Sequence, residues 1–439
     1  MNLKSHRSSL GFLIVAALVF VVVQILFSTG VLNNFWNTII RIGAVMAIVS
    51  LGLNLIYGFN GQFSLGQWGF YAIGAYAAAD ITYRWSINNS ADGLTVVLLV
   101  TFLTGAAIVV LRRLLSRVRG LDALSAFALY MMVVLALAYF AVKIGGVITP
   151  AVSGMLSALP AAVAMQVVFV LAVLLGGLLA AEISFLFGLP VLTLGSDYFG
   201  IATLGLTIIV KVLLDNSDTM LGFEEMKGAR GMIGIPKLTT WFWVFFFLVM
   251  VVIITRNLLQ SSYGRAIVSV REDEIAAKAM GIDVAHYKNL TFVLGSFFAG
   301  LAGALYAHIN GFLHPNTFNF IRSFDPMIIV VFGGLGSVTG TLAASFTWAL
   351  VLEGFLRLWL PDGFETWRYV VYPLLLLLLM LIRPKGLLGD IEIPFLRQKL
   401  PPLAPTAPAR IEEDLGPGGA VGISPFANPG DNPQAQEAE

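Results

Sequence analysis

The chain has 439 residues, 58% of them hydrophobic and only 12% charged, with a mean hydropathy of +0.87 and a formal net charge of +1. Soluble domains carry about 25% charged residues, so the composition excludes an ordinary soluble enzyme, a disordered chain or a coiled coil; the balanced charge leaves no basic excess for nucleic acid. The absence of cysteine excludes disulfides, thiol catalysis and thiolate metal sites, and the scattered His6, His286, His308 and His314 form no HExxH pair for a zinc hydrolase.

A membrane-spanning helix needs about 20 mostly apolar residues. The first such run, Leu10 to Phe27, follows Lys4, His6 and Arg7. It has the outline of a signal peptide, but no small-residue cleavage site follows, so it is read as the first span. Further apolar runs lie at 38–57, 63–80, 95–111, 123–143, 161–181, 198–214, 240–256, 289–309, 325–336, 338–358 and 368–383, which predicts an all-α polytopic membrane protein of about twelve spans. Segment 325–336 is short for a span and reads equally as half of a re-entrant hairpin, which is allowed where protein buries it. With the N-terminus in the cytoplasm, the inside loops hold the basic clusters around Arg112–Arg119, Arg256–Lys288 and Arg383–Lys399, outnumbering the outside ones. That bias predicts both termini on the cytoplasmic side. Residues 391–439 become rich in Pro and Gly, with Glu412, Glu413 and Asp414. They carry too little apolar surface to offset ordering entropy and are expected to form a disordered cytoplasmic tail.

The predicted organisation is N-terminal spans with a Gly-rich stretch (1–94), a two-span hairpin (95–150), middle spans with an external loop at 215–239 (151–256), a cytoplasmic loop (257–289) and C-terminal spans (290–390). Asn60-Gly61 and Asn310-Gly311 are the one literal echo between two Gly-rich regions that could mark related halves, as in many transporters.

Between Gly58 and Gly74 and just before it, the polar residues Asn54, Asn60, Gln62, Ser64 and Gln67 interrupt apolar sequence. Polar side chains at membrane depth need partners and often line a path, so Gln62, Ser64 and Gln67 are candidate pathway residues, with interhelical hydrogen bonding as the plainer alternative. Glu182, Asp197 and Lys211 are charges near spans that could be gating groups, but membrane-interface positions explain them more cheaply. The loop after residue 257 holds Ser269 three residues before Glu272, a capping-box spacing, and Gly281 at a helix end. This predicts a short helix from about Val270 to Met280, with Asp283 capping the next span. Ile275, Ala276, Ala279 and Met280 would form a small apolar face able to dock in a groove, or merely a solvated connector. Gly295, Ala299, Gly303 and Ala307 recur every four residues, and Gly336 and Gly340 form a GxxxG; both patterns predict close helix packing. Glu353 and Arg357 are spaced to pair on one helix face, and Asp325 before Pro326 suits a helix start.

Segment 264–283, GRAIVSVREDEIAAKAMGID, resembles the coupling loop of branched-chain amino acid ABC transporter permeases of the LivM type, in the LivH/LivM-like family. Residues 51–79, 197–206 (DYFGIATLGL), 299–315, 333–336 (GGLG) and 383–389 (RPKGLLG) resemble further signatures of that family, in its order. The resemblance implies a type II importer-like permease with a core of about ten spans. It implies no catalytic residue, metal or cofactor of its own, ATP being bound by partner subunits. The implied partners are a second homologous permease, two cytoplasmic ATPases, a periplasmic substrate-binding protein and the lipid bilayer of the bacterial inner membrane. It assigns ATPase coupling to Arg271, Glu272, Asp273, Glu274, Ala276, Ala277 and Gly281. The sequence also departs from the family. Thr193-Leu194-Gly195-Ser196 replaces a basic stretch, Lys227-Gly228-Ala229 replaces an external glycine motif, and about 50 residues near 95–145 look inserted.

Branched-chain or related amino acids are the implied cargo. A permease of the same architecture carrying urea or short amides is the nearest alternative. A secondary carrier would need buried charged relays at mid-membrane, which the long spans do not display. A channel would need a filter or a wet polar lining.

Overall fold

The computed structural model describes residues 3–115, 123–192, 196–219 and 224–359, and beyond them only 374, 378, 381–383, 386, 388, 392 and 393. The predicted span 368–383 and the tail 391–439 lie almost wholly outside the described residues.

The apolar runs become helices whose ends are set by caps. Helix α1 spans Leu3–Ser28. Asn33 then caps α2 (Asn34–Leu53) by accepting from the Trp36 amide. A π turn, Asn54–Phe59, continues α2 and ends at Gly61, whose φ of 75° only glycine adopts easily. After an extended stretch come α3 (Gln67–Asn88), α4 (Asp92–Leu115), α5 (Ala123–Ser157), α6 (Ala161–Val191) and α7 (Ser196–Asp215). Strand β1 (Met232–Ile233) precedes α8 (Trp241–Gln260), followed by α9 (Ser262–Glu272), α10 (Glu274–Ala279) and α11 (Val284–Asn310). Strand β2 (Phe312–Leu313) pairs antiparallel with β1, Met232 opposite Leu313. Helices α12 (Phe324–Gly333) and α13 (Val338–Trp348) follow, and α13 runs on through a second π turn, Ala349–Phe355.

Among the described residues, nine helices are long and apolar enough to cross a membrane. Of the other predicted spans, 63–80 is helical as α3, but Asp80 and Arg84 reduce its apolar character and most of its side chains are buried in protein. Helix α12 has only 10 residues and turns tightly into α13, as a half-span would. Helix α5 has 35 residues and runs past the hairpin boundary expected at 150, with Pro150 inside it. Membrane helices tolerate such a proline because neighbouring groups satisfy the freed carbonyl.

One apolar core unites α2, α3, α6, α8, α11 and α13. Its densest part is made of backbone. A Cβ on Gly74 of α3 would strike the Gly300 carbonyl of α11; one on Gly176 of α6 would lie 2.8 Å from the Gly74 carbonyl oxygen; one on Gly300 would lie 2.8 Å from that of Gly176. The predicted stripe joins this knot. A Cβ on Gly303 would collide with the Tyr71 carbonyl, and one on Gly295 would lie 2.6 Å from the Gly52 carbonyl oxygen, while Ala299 and Ala307 are fully buried. Helix α11 thus touches α2, α3 and α6 with hardly any side chain between. Helices α4 and α5 are outliers. Their outer ends, Leu94 and Leu156, join the main core, but further along they meet α6 through a separate small cluster of Ile108, Tyr130 and Leu186 and expose Phe102, Met132 and Leu135, as surfaces facing lipid would.

One expected pairing is not made. Gly336 is not on a helix but in the turn before α13, with φ of 79°, so Gly336 and Gly340 share no helix face. Gly340 instead abuts Gly333 across that turn. Glu353 lies in the second π turn and Arg357 in the helical turn after it.

Overpacking a close-packed contact costs about 1–3 kcal/mol or more. Gly303→Ala is therefore expected to lower the thermal midpoint in detergent, followed by circular dichroism, while Gly146→Ala on α5, with nothing within 4 Å, leaves it unchanged.

Candidate functional site

The segment between α8 and α11 is two helices rather than one. Ser261 caps α9 by accepting from the Gly264 amide, and α9 runs unbroken to Glu272, burying Ile267 and Val270. Ser269 is consequently interior to a helix. Its hydroxyl donates back to the Ala266 carbonyl, 2.8 Å away, and the expected capping box with Glu272 does not form. The cap is Asp273, whose Oδ1 accepts from Ile275 and Ala276 at 2.8 and 3.0 Å and starts α10. Gly281 has φ of 81°, as its position requires, and Asp283 caps α11 at the His286 amide, both as expected.

Three buried side chains, Val270, Ala277 and Val284, pin this segment to the base of α11. The opposite face of α10 is open: Ile275 is 81% and Met280 83% exposed, and Ala276 and Ala279 are exposed beside them. Glu274 holds the segment electrostatically, accepting from Lys288 of α11 at 2.7 Å and from Lys278 at 3.1 Å. Hydrogen bonding from Lys288 holds the Glu274 carboxyl below the usual carboxylate range against the opposing effect of burial, with Lys278 adding to the shift.

Arg271 joins this segment to the membrane part. Its Nη1 donates to the Gly58 carbonyl at 2.7 Å, while its Nε and Nη2 bind Glu272. A Cβ at Gly61 would lie 3.0 Å from Arg271 Cγ, and one at Gly336 3.0 Å from its Nη1, so the guanidinium sits between two turns from distant parts of the chain. Asn54, fully buried in the first π turn, stitches those turns together. Its Nδ2 donates to the Ser337 carbonyl and the Thr341 hydroxyl, each at 2.9 Å, and its Oδ1 accepts from the Gly336 amide at 2.9 Å. Nearby, Asn60 Nδ2 lies within hydrogen-bond distance of Thr291 of α11, at 2.9 Å, and of Gln62, at 3.0 Å. A cleft of about 200 Å³ opens here, lined by Asn60, Gln62, Phe199, Arg271, Glu274 and Lys288 among others.

The sequence candidates therefore separate. Gln62 borders this cleft beside Arg271 and Glu274. Ser64 is buried and accepts from Gly66 in its own turn. Gln67, at the start of α3, is 1% exposed and does not line the cleft. Asn54, Gly58 and Lys288 carry contacts that the sequence patterns did not single out. Asn54 was visible as a polar residue, but its partners lie about 280 residues away. Lys211 pairs with Asp215 at 2.6 Å near the end of α7, as an interface residue would; the Asp197 side chain lies outside the described set. Glu182 lies on α6. It faces Thr104, near the middle of α4.

The loop expected on the outside lies at the far end of α11, about 40 Å from its base at 1.5 Å per residue. There Thr239 bonds the Leu305 and His308 carbonyls, and Arg84 binds Asp80, Asp92 and Glu225 at 3.0, 3.4 and 2.9 Å.

Residues 35–151 and 120–381 match the family described as branched-chain amino acid transport system / permease component. The chain is 32% identical over 248 residues to the high-affinity branched-chain amino acid transport system permease protein LivM of Escherichia coli K12, covering 49% of this chain and 56% of that protein. It is 26% identical over 243 residues to a probable LivM of Methanocaldococcus jannaschii, covering 51% and 69%. It is 29% identical over 180 residues to LivH of Salmonella typhimurium LT2, covering 41% and 55%. The chain thus spans only a little over half the length of the first bacterial relative. No solved structure gives a significant match.

The geometry carries two testable consequences. Asn54→Leu leaves a buried amide, carbonyl and hydroxyl without their partner and is expected to cost roughly 2 kcal/mol or more, read by thermal unfolding. A carboxyl with a lowered folded pKa contributes its tie above the usual carboxylate range and loses it as pH falls through the lowered value. Glu274→Gln should therefore speed amide hydrogen exchange in 273–281 at neutral pH. The difference from the parent chain should vanish in acid.

Proposed function

The chain belongs to the family of branched-chain amino acid transport system permease components, and on that premise we propose that it is the membrane-spanning permease subunit of an ATP-driven importer. It lies in a bacterial inner membrane with both termini cytoplasmic. It passes branched-chain or related amino acids, received from a periplasmic binding protein, towards the cytoplasm. It works beside a second related permease and above two ATPase subunits, which bind and hydrolyse the ATP.

The observation that carries this reading is the segment around α10. A short helix with two exposed apolar side chains, Ile275 and Met280, stands at the base of the most deeply packed helix. That shape fits a hydrophobic groove on a soluble partner, since isolated large apolar side chains on a short polar helix act as anchors. The names of the relatives, which speak of branched-chain amino acid transport, support the cargo.

The mechanism follows from the connections. Closure of the ATPases moves α10. Lys288 and the Val270–Ala277–Val284 contact carry the movement into α11, and Arg271 carries it to the Gly58 and Gly336 turns. The first π turn, Asn54–Phe59, contains the Gly58 joint, and the second, Ala349–Phe355, follows α13 beyond the Gly336 joint. Such turns sit where helices shift register, so they supply the compliance that opens and closes the path. Gln62 and Asn60 form the polar part of that path at the cleft. Cargo selection rests mainly with the binding protein, and the permease needs only a narrow way through for a small zwitterion.

The test is ATP-dependent uptake in proteoliposomes holding the complete transporter. Glu274→Arg, which sets three cations together, and deletion of residues 270–281 are expected to abolish uptake while the protein still inserts. Arg271→Ala keeps the exposed face but cuts the tie to Gly58. It should retain ATPase binding and lower transport roughly tenfold or more, as expected for losing a charge-assisted hydrogen bond. Normal uptake by the 270–281 deletion would overturn the reading, and uptake of urea in place of leucine would reassign the cargo.

A further inference from the structure

Glu182 of α6 meets the middle of α4, the first helix of the outlying hairpin. Thr104 Oγ1 lies 2.6 Å from Glu182 Oε2 and 2.7 Å from the Val100 carbonyl oxygen. Both are short oxygen–oxygen contacts within the hydrogen-bond range. The threonine hydroxyl owns one hydrogen, and neither a carbonyl nor an ionised carboxylate brings another. With Glu182 ionised, the two acceptors would have to share that one hydrogen, as the Val97 and Leu98 carbonyls share the Thr101 hydroxyl. With Glu182 protonated both are made: the acid O–H donates to Thr104 Oγ1, and the threonine O–H donates to the Val100 carbonyl.

The surroundings agree with this proton count. Gly105 leaves the space the carboxyl fills, since a Cβ there would stand 3.0 Å from Glu182 Oε1. Among the described residues no Lys, Arg or His pairs with Glu182, and Thr104 is its hydrogen-bond partner. The neighbouring contacts of α4 and α5 with α6 are the apolar Ile108, Tyr130 and Leu186. An ionised carboxylate at membrane depth without a cation is far costlier than a neutral acid that both donates and accepts.

We propose that Glu182 is a proton-binding site inside the membrane, held as a neutral carboxylic acid at neutral pH, with Thr104 and Gly105 of the hairpin as its cradle. The ligand is a proton, and the bound proton fastens α4 to α6. This assigns a role to the outlying hairpin that the coupling segment does not need, and it stands whether or not the chain is an importer subunit.

Infrared spectroscopy of the full chain in lipid tests it. The parent spectrum minus that of Glu182→Gln should contain a protonated-carboxyl C=O stretch. The amide introduced by Glu182→Gln keeps an N–H donor for Thr104, so the variant should insert and melt like the parent. If it does not fold, Thr104→Val serves instead: removing the hydroxyl should shift the same C=O band to higher frequency. A difference spectrum showing only ionised-carboxylate bands, or a C=O band unmoved by Thr104→Val, would overturn the proposal.

Discussion

The structure depends on backbone meeting backbone along α11. Gly295, Gly300 and Gly303 bring it against α2, α6 and α3 so closely that a methyl group at any of them would collide with a neighbour. Water cannot drive helices together inside a bilayer, so such van der Waals contact is the main source of cohesion there. It also makes α11 stiff relative to its neighbours, because no flexible side chain lies between to absorb a displacement. A helix held this way cannot tilt alone; it moves the core or stays still.

That constraint gives meaning to what sits at its base. The α9–α10 segment is fastened to α11 by apolar packing and by Glu274–Lys288, and to the 58–61 and 334–337 turns by Arg271. The turns are in turn bound by Asn54. A small soluble-facing helix is thus joined to rigid and compliant parts of the membrane domain at once. The rigid part is α11. The compliant parts are the turns with their positive-φ glycines and the π segments beyond them. The remote end of α11 carries the β1–β2 ladder and the Arg84 cluster.

Much of this was legible in the sequence because it is local. Apolar run length marks spans, and Asp283 and Gly281 mark helix ends. The exposed apolar face of Ile275 and Met280 followed from spacing alone. What depended on distant contact was not legible. Two caps compete within five residues, Ser269 and Asp273, and the choice falls to Asp273 because burial of Ile267 and Val270 keeps α9 helical through Ser269. The Gly336–Gly340 spacing mimics a helix face, yet a turn intervenes. The meeting of Gly74, Gly176 and Gly300 has no sequence signature, since no spacing rule links three separate helices. Glu182 looked like an interface charge because its partner, Thr104, belongs to a hairpin whose docking the sequence does not reveal.

The central claim is that the face bearing Ile275 grips a nucleotide-hydrolysing subunit. The chain has no cysteine, so one introduced at Ile275 reports without background. In the assembled complex, Ile275→Cys should cross-link to a co-purifying ATPase with a yield that changes between ATP and ADP. Ile233→Cys, also exposed but at the other end of α11, should give no such product. Failure of Ile275→Cys to reach any ATP-binding polypeptide, or equal capture from Ile233→Cys, would contradict the account.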